Sequence, residues 1–539
     1  MNNIIRNSFV ARFFASIFAM LSLAYSQSIF GKFVAAFKRS LDNSKTRERI
    51  VAFFTASPKT VFSKFYGLFR RFNSSVTNFG KRLRPASESS IFMKICRSFS
   101  ASKLVEQSVV LSSVKKFGMK KILIGAFALY LPLDWLIRDI FKLEAVASIW
   151  DEAFLVFCFA YIIFRIASSK KEVKPRITPV DAPVLLFLAV GIFLVGVVSP
   201  KFGVAIAGYR AVCQFMLWFF VLTRLIEDES DFKVLYFAIC AMAVAIAVHG
   251  IYQYITKAPI PETWVAKTEV GVRTRVYSII GSPNIMGALL VMTAPMVAAC
   301  AYYAKSMKKK VLMWILTGLL CIATLFTFSR GAWFGLTVAV VVFSLLVDRR
   351  LIVAAILGII AIIICVPEIS NRIAFLFTDD FQVANNSGGR GQRWEKGLEL
   401  WSDHKTFGFG LGRFGGAIAM QNQDVETLYY FYMDNYYLKT LVEMGLVGLI
   451  SYIWLLLQNM LWTLRWLFTT KKDRFSYLAC GIFAGLIGVL AHSYFENIFE
   501  VPYMNAYFWG LSAAIMFLGF IRPKKNKTKN DEENNTEEA

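Results

Sequence analysis

From Lys121 onward the chain alternates apolar runs with short polar breaks, and that alternation leaves few folds open to it. The runs fall at 122–137, 149–166, 182–199, 203–224, 232–254, 286–304, 311–328, 332–347, 351–366, 436–462, 476–494 and 503–521, twelve in all. Most approach the roughly 20 residues that a helix needs to cross a bilayer, where only helices and closed barrels satisfy their own backbone groups. A mean hydropathy of +0.52 with 18% charged residues lies outside the range of soluble globular domains. The expected fold class is an all-α polytopic membrane protein with about 12 transmembrane helices and one large external loop.

The loops orient this array. With a cytoplasmic N-terminus, the inner connections include SSKKEVKPR, AKSMKKK, DRR, RWLFTTKKDRF and the tail RPKKNKTKN, all rich in Lys or Arg as the positive-inside bias requires. The acidic exception is IEDESDFK, between the fourth and fifth runs. Both termini are then cytoplasmic, in a multi-pass membrane protein, and 255–285, Ser329-Arg330-Gly331 and 367–435 are external. Three regions follow: a basic membrane-surface region at 1–120, a transmembrane domain at 121–522 and a polar cytoplasmic tail at 523–539.

Residues 1–121 hold 22 Lys and Arg against 4 Asp and Glu, a large part of the chain's net charge of +24. Such an excess suits nucleic acid or an anionic lipid surface, and the Phe-rich spacing between the charges selects anionic membrane lipids, with no nucleic-acid partner. Three similar pieces, Ser28 to Lys32, Thr60 to Lys64 and Ser90 to Lys94, sit in short basic stretches such as TVFSKFYGLFRRF. The pattern is that of amphipathic helices lying on the membrane, too interrupted to span it. The eight cysteines show no C-x-x-C or Cys/His ligand spacing, so neither a disulfide framework nor a metal site follows from them.

The chemistry is expected in the stretch Gly388–Gly448, where Arg390, Arg393, Arg413, Asp424, Glu426, Asp434 and Glu443 lie among glycines and aromatics. Arg390, Trp394 and Trp401 are spaced so that a short helix would carry them on one face, with the indoles as platforms for sugar rings. Gly408-Phe-Gly-Leu-Gly412 lacks the strand and the βαβ frame of a dinucleotide site and reads as a flexible turn. Other external arginines are Arg273 and Arg275, followed by Pro283-Asn284 at a helix start, and Arg330 in a tight turn. Arg210 lies inside the fourth run, where a charge is costly and marks a functional candidate or a helix-depth anchor. Guanidinium forks grip phosphate oxygens in two-pronged fashion, so an arginine cluster on one face suggests a phosphorylated lipid.

Taken in order, these motifs resemble the O-antigen ligase and O-antigen polymerase superfamily: Arg275 with Pro283-Asn284, Ser329-Arg330-Gly331-Ala-Trp, Arg390-x-x-x-Trp394 before the glycine run, Asp434-Asn435, and Glu443-x-Gly445-x-x-Gly448. The resemblance spans about 120–520 and implies a C-type, metal-independent glycosyltransferase fold that needs no cofactor. It implies transfer, with inversion, of a glycan on undecaprenyl pyrophosphate to an acceptor glycan or glycolipid at the outer face. By this resemblance Arg275 and Arg330 hold the pyrophosphate, Arg210 and Arg390 match less closely, and Asn284, Trp394, Asn435 and Glu443 line the substrate site. Ligases of the family commonly have His-Asn where this chain has Asp434-Asn435.

A carboxylate can replace histidine as the base for an incoming hydroxyl, which makes Asp434 the first choice and Glu443 the second. The alternative is that Asp434 caps the tenth apolar helix, a usual place for Asp. The missing histidine favours a polymerase, with a ligase as the alternative. A lipid or polysaccharide transporter is a further possibility, but it would hold its charges at the bilayer midplane rather than in the outer loops.

Overall fold

The computed structural model describes residues 52, 63–89, 118–171, 173–261, 264, 274–379, 382–383, 389–423 and 432–522. Among these residues all regular structure is helical. The first and third basic repeats, Arg273, Asp424, Glu426 and the tail 523–539 lie outside the described residues.

Each of the twelve apolar runs falls on a helix or on helices joined end to end. The first is α2 (Met119–Ala128), continued by Tyr130–Trp135 and followed by α3 (Trp150–Ala167) and α4 (Asp181–Val197). The fourth run is split into α5 (Phe202–Cys213) and α6 (Trp218–Leu225), and α7 (Glu229–Ile255) follows. The chain continues through α8 (Pro283–Tyr303), α9 (Met307–Phe326), α10 (Arg330–Leu346) and α11 (Arg350–Cys365). After the long 367–435 loop come α14 (Tyr436–Thr469), α15 (Arg474–His492) and α16 (Pro502–Met516). Seven of these spans are long and apolar enough to cross a membrane by length and composition, and shorter apolar helices accompany them. The protein is an all-α polytopic membrane protein.

Burial identifies the middle of the bundle. The apolar window of α8 is 94% buried whereas that of α9 is 17% buried, so α8 is enclosed by other helices and α9 faces outward. A helix that is apolar all round needs either lipid or protein on every side, and α8 has protein. It packs on α15, α9 and α10. Lipid offers helices no hydrophobic drive to associate, so close backbone approach has to supply the contact. Gly485 of α15 provides it: a Cβ there would lie 2.0 Å from the Met292 carbonyl oxygen of α8.

Local sequence sets where these helices begin. Pro283 occupies the first turn of α8, and Ser282 caps it by accepting from the Ile285 amide. Ser329 caps α10 in the same way, after a turn in which Phe328 takes a left-handed conformation. Asn435 caps α14 through the Leu438 amide, 3.0 Å away. The starts of α8, α10 and α14 and the end of α15 therefore lie at one face of the bundle. The starts of α7 and α15, each closed by a capping box, lie at the other.

The acidic loop IEDESDFK belongs to that second face, and it is neutralised there. Glu227 pairs with Lys120 (2.9 Å), Arg165 (3.0 Å) and Arg176 (3.0 Å), while Glu229 pairs with Arg522 (2.6 Å). Burial alone would raise the Glu227 carboxyl, but Lys120, Arg176 and Arg165 outweigh it and hold it below the ordinary value. Helix α1 (Ser63–Ser89) is longer than the basic repeat predicts, and it docks on α3 through a polar stripe. Asn73 donates to the Val173 carbonyl and Thr77 to that of Ile166, while Leu68 and Phe79 are exposed.

Candidate functional site

The helix expected around Arg390 is present as α13 (Arg390–Asp403), preceded by α12 (Pro367–Ala374). It sits on a small separate core of Leu400, Phe414, Met433, Leu438 and Val442, so the loop packs on itself and on α14. This seat directs Arg390 and Trp394 at Asp434. Arg390 donates through Nε to one Asp434 oxygen, which also lies 3.4 Å from Arg393, and Trp394 Nε1 donates to the other at 3.2 Å. Asp434 is buried, and it does not cap α14, because the neighbouring Asn435 does.

The cluster continues away from Asp434. Arg390 Nη2 donates to the Phe495 carbonyl at 3.0 Å, which brings in the short connection between α15 and α16. That connection carries Glu496, 4% exposed, whose Oε2 accepts from Asn284 Nδ2. Asn284 in turn accepts from Arg275 Nη2 at 2.9 Å. Arg275 is buried and also donates to the carbonyls of Thr327 (3.0 Å) and Trp264 (2.8 Å), so it ties the 274–280 segment to the turn before α10. Arg330, the first residue of α10, lies over the Phe375 ring at 5.9 Å. A Cβ on Gly331 would come within 2.7 Å of the buried His492, so α10 meets the end of α15 here.

Four sequence-predicted residues thus gather around Glu496: Arg275 and Asn284 are hydrogen-bonded in series to its carboxylate, while Arg390, bonded to Asp434 and to the carbonyl of the preceding Phe495, joins through the backbone, with Trp394 on the far side of Asp434. Arg330 stands beside it. Three helix starts, those of α8, α10 and α13, face the same region and add the partial positive charge of their free amides. Burial raises the Glu496 carboxyl above its ordinary value, against the opposing pull of the Arg390 guanidinium.

Other predicted residues go elsewhere. Arg210 pairs with Glu152 and donates to Gln214 at 3.2 Å, outside this chain of contacts. Glu443 is buried beneath the glycine turn, where Oε1 accepts from the amides of Gly412 (3.1 Å) and Phe414 (3.3 Å) and Oε2 pairs with Lys439 (2.6 Å). The turn is pinned rather than flexible. Gly445 interrupts α14 with φ 63°, and the segment 405–410 fills the break: Phe409 N bonds to Val442 O (2.7 Å) and Leu446 N to Lys405 O (2.9 Å). A Cβ on Gly408, itself at φ 81°, would lie 2.4 Å from the Gly445 nitrogen.

Sequence reasoning missed Glu496 and left His492 aside as scattered. The available signal was HSYFENIFE between the last two apolar runs, a polar group on the same side as the three external segments. No curated protein matches the chain. Residues 315–453 match the family model described as O-antigen ligase, a segment that runs from α9 to α14 and contains Arg330, Arg390, Trp394, Asp434, Asn435 and Glu443. Over that segment the chain is similar to the O-antigen ligase family.

Proposed function

We propose that this protein is a glycosyltransferase of cell-surface polysaccharide biosynthesis, acting on a glycan linked to undecaprenyl pyrophosphate at the external face of the cytoplasmic membrane. The observation that carries the reading is the cluster of Asp434 with Arg390 beside Glu496, Asn284 and Arg275, with Asp434, Glu496 and Arg275 buried, at the end of the bundle where several helices start. An acceptor sugar hydroxyl attacks the anomeric carbon, the bond to the pyrophosphate oxygen breaks, and configuration inverts in a single displacement. Arg275, Arg330 and Arg390, with the helix starts, take up the negative charge that develops on the leaving pyrophosphate. Trp394 and Asn435 border the sugar side. The step as proposed uses no metal ion, and transfer is expected to persist in a chelator.

The base is a carboxyl of this chain. Asp434 can act only after its donors Arg390 and Trp394 release it onto the arriving pyrophosphate. Glu496 is held by the neutral Asn284 amide rather than by a guanidinium, and burial raises its carboxyl, which favours proton uptake, so we assign it the base role and give Asp434 that of holding the arginines. Glu496→Gln is expected to keep donor binding and lower transfer by about 10²- to 10⁴-fold. Asp434→Asn should weaken donor binding as well, because Arg390 loses its anchor. Transfer and donor binding are measured separately with purified lipid-linked glycan. Parent-rate transfer by Glu496→Gln together with selective loss of transfer in Asp434→Asn returns the base role to Asp434.

Polymerisation is the favoured outcome, since Asp434 stands where ligases of the family commonly have His. Repeat-unit acceptors should then be extended, and a finished glycan should not be moved to a lipid-A-type acceptor. For the orientation, a cysteine placed at Asn386 should be labelled from outside and one at Ser306 spared.

A further inference from the structure

On the face opposite the site, α1, α3, α6 and the 173–176 segment enclose a cavity of about 440 Å³. Its floor is apolar, with Phe72, Phe159, Ile162, Ile163, Leu185 and Leu217, and its rim carries Arg165, Lys174, Arg176 and Arg224 against the one carboxylate Glu227. Glu227 is already shared by Lys120, Arg165 and Arg176, so the rim keeps a net positive charge. Arg224 pairs with Asp181 at 2.7 Å and lies over the rings of Phe69 and Phe220, which fixes a guanidinium at the junction of rim and floor. The volume is that of a ligand site, and its polarity is graded from apolar floor to cationic rim.

We propose that this cavity binds one anionic phospholipid of the adjoining leaflet, headgroup phosphate at Arg165, Lys174 and Arg224 and the upper acyl chain between Phe72 and Ile163. Charge decides for lipid over the chain's own N-terminal segment: residues 1–62 are themselves strongly basic and are repelled by a basic rim. The bound lipid completes the contact between α1 and the bundle. That contact includes polar bonds from Asn73 to Val173 and from Thr77 to Ile166, the approach of Gly80 to the Ala167 carbonyl, and Phe69 against Arg224. A lipid in the cavity adds an apolar and an ionic bond between the same two elements.

The full chain, stripped of lipid in detergent, is titrated with phosphatidylglycerol or phosphatidylcholine, and retained lipid is counted by native mass spectrometry. One phosphatidylglycerol per chain is expected at concentrations where phosphatidylcholine is not retained. The double variant Arg165→Gln/Lys174→Gln should lower retention about tenfold, as expected for losing ion pairs worth about 1.4 kcal/mol together. Ile163→Trp, which fills the floor and leaves every charge in place, should lower it as well. Inorganic phosphate should not compete, because it lacks the acyl chain. Equal retention of the two lipids, or full retention by Ile163→Trp, overturns the proposal and leaves only surface charge. A benzoylphenylalanine in place of Phe72 should crosslink to lipid, and crosslinking to residues 1–62 instead assigns the cavity to the chain itself.

Discussion

Around Asp434 the charged groups come from elements far apart in sequence, 275, 390, 434 and 496, and Arg275, Asp434 and Glu496 are almost fully enclosed. Around Glu227, at the other end of the bundle, charges are as numerous, yet the Arg165 and Glu227 side chains keep 40% and 27% of their exposure. Water screens the pairs of Glu227 more than it screens Arg275, Asp434 and Glu496, although Asp231 beside Lys120 is buried and Arg390 keeps 36% of its exposure. Half-exposed pairs tie loops together at little cost and for little gain, whereas buried charge is expensive to keep unless it acts on something.

The sharpest break in this comparison is at the arginines. Arg275→Lys and Arg330→Lys keep the charge and lose the planar fork, and each is expected to reduce transfer by about 10²- to 10³-fold. For Arg275 the thermal midpoint should be read alongside, since the carbonyls of Thr327 and Trp264 lose a donor. Parent-rate transfer by both variants would move the pyrophosphate away from this face.

A pH profile sharpens it further. If Glu496 must be ionised to accept a proton, transfer falls as pH drops through a value above the ordinary 4.5 of a glutamate, because burial raises it. Glu496→Gln should flatten that limb to its residual rate. A limb that survives in the variant belongs to another group.

Gly408→Ala tests the mounting of the site rather than its chemistry. The position combines φ 81° with atoms 2.4 Å from any added Cβ, so the variant should lose at least about 1 to 3 kcal/mol of stability, read as a lower unfolding midpoint in detergent. The smallest effect is expected on the opposite face. Glu227→Gln removes a shared partner of three cations, and it should leave transfer unchanged and stability within about 1 kcal/mol. A large loss of transfer there would show that the two faces are coupled.

Most of the fold was legible because hydropathy reads out burial in lipid directly: every apolar run lies on a helix. The helix start at Pro283 was legible too, but the cap of α14 was not, since the adjacent Asn435 takes it and not Asp434. The site was legible where it is local, as for Arg390 and Trp394 on one face of α13. It was not legible where partners lie far apart in sequence. Nothing near Glu496 announces that Asn284 and the Arg390 guanidinium lie beside it. Glu443 misled for the converse reason, as its neighbours in sequence suggested chemistry and its neighbours in space are the amides of Gly412 and Phe414.

The break in α14 at Gly445 also constrains the order in which the chain can assemble. Residues 405–410 are synthesised before α14, yet four of the backbone hydrogen bonds they make are to Val442, Glu443, Leu446 and Val447. With the loop on the external face, as proposed, it has to be across the membrane when α14 inserts, and the start of α14 cannot close these backbone bonds until the loop has arrived. Neither piece has a finished state alone, so the external loop and the tenth apolar helix should mature as one late folding unit. A chain stalled before residue 436 should leave the loop open to protease, and protection should appear in one step once the helix is complete.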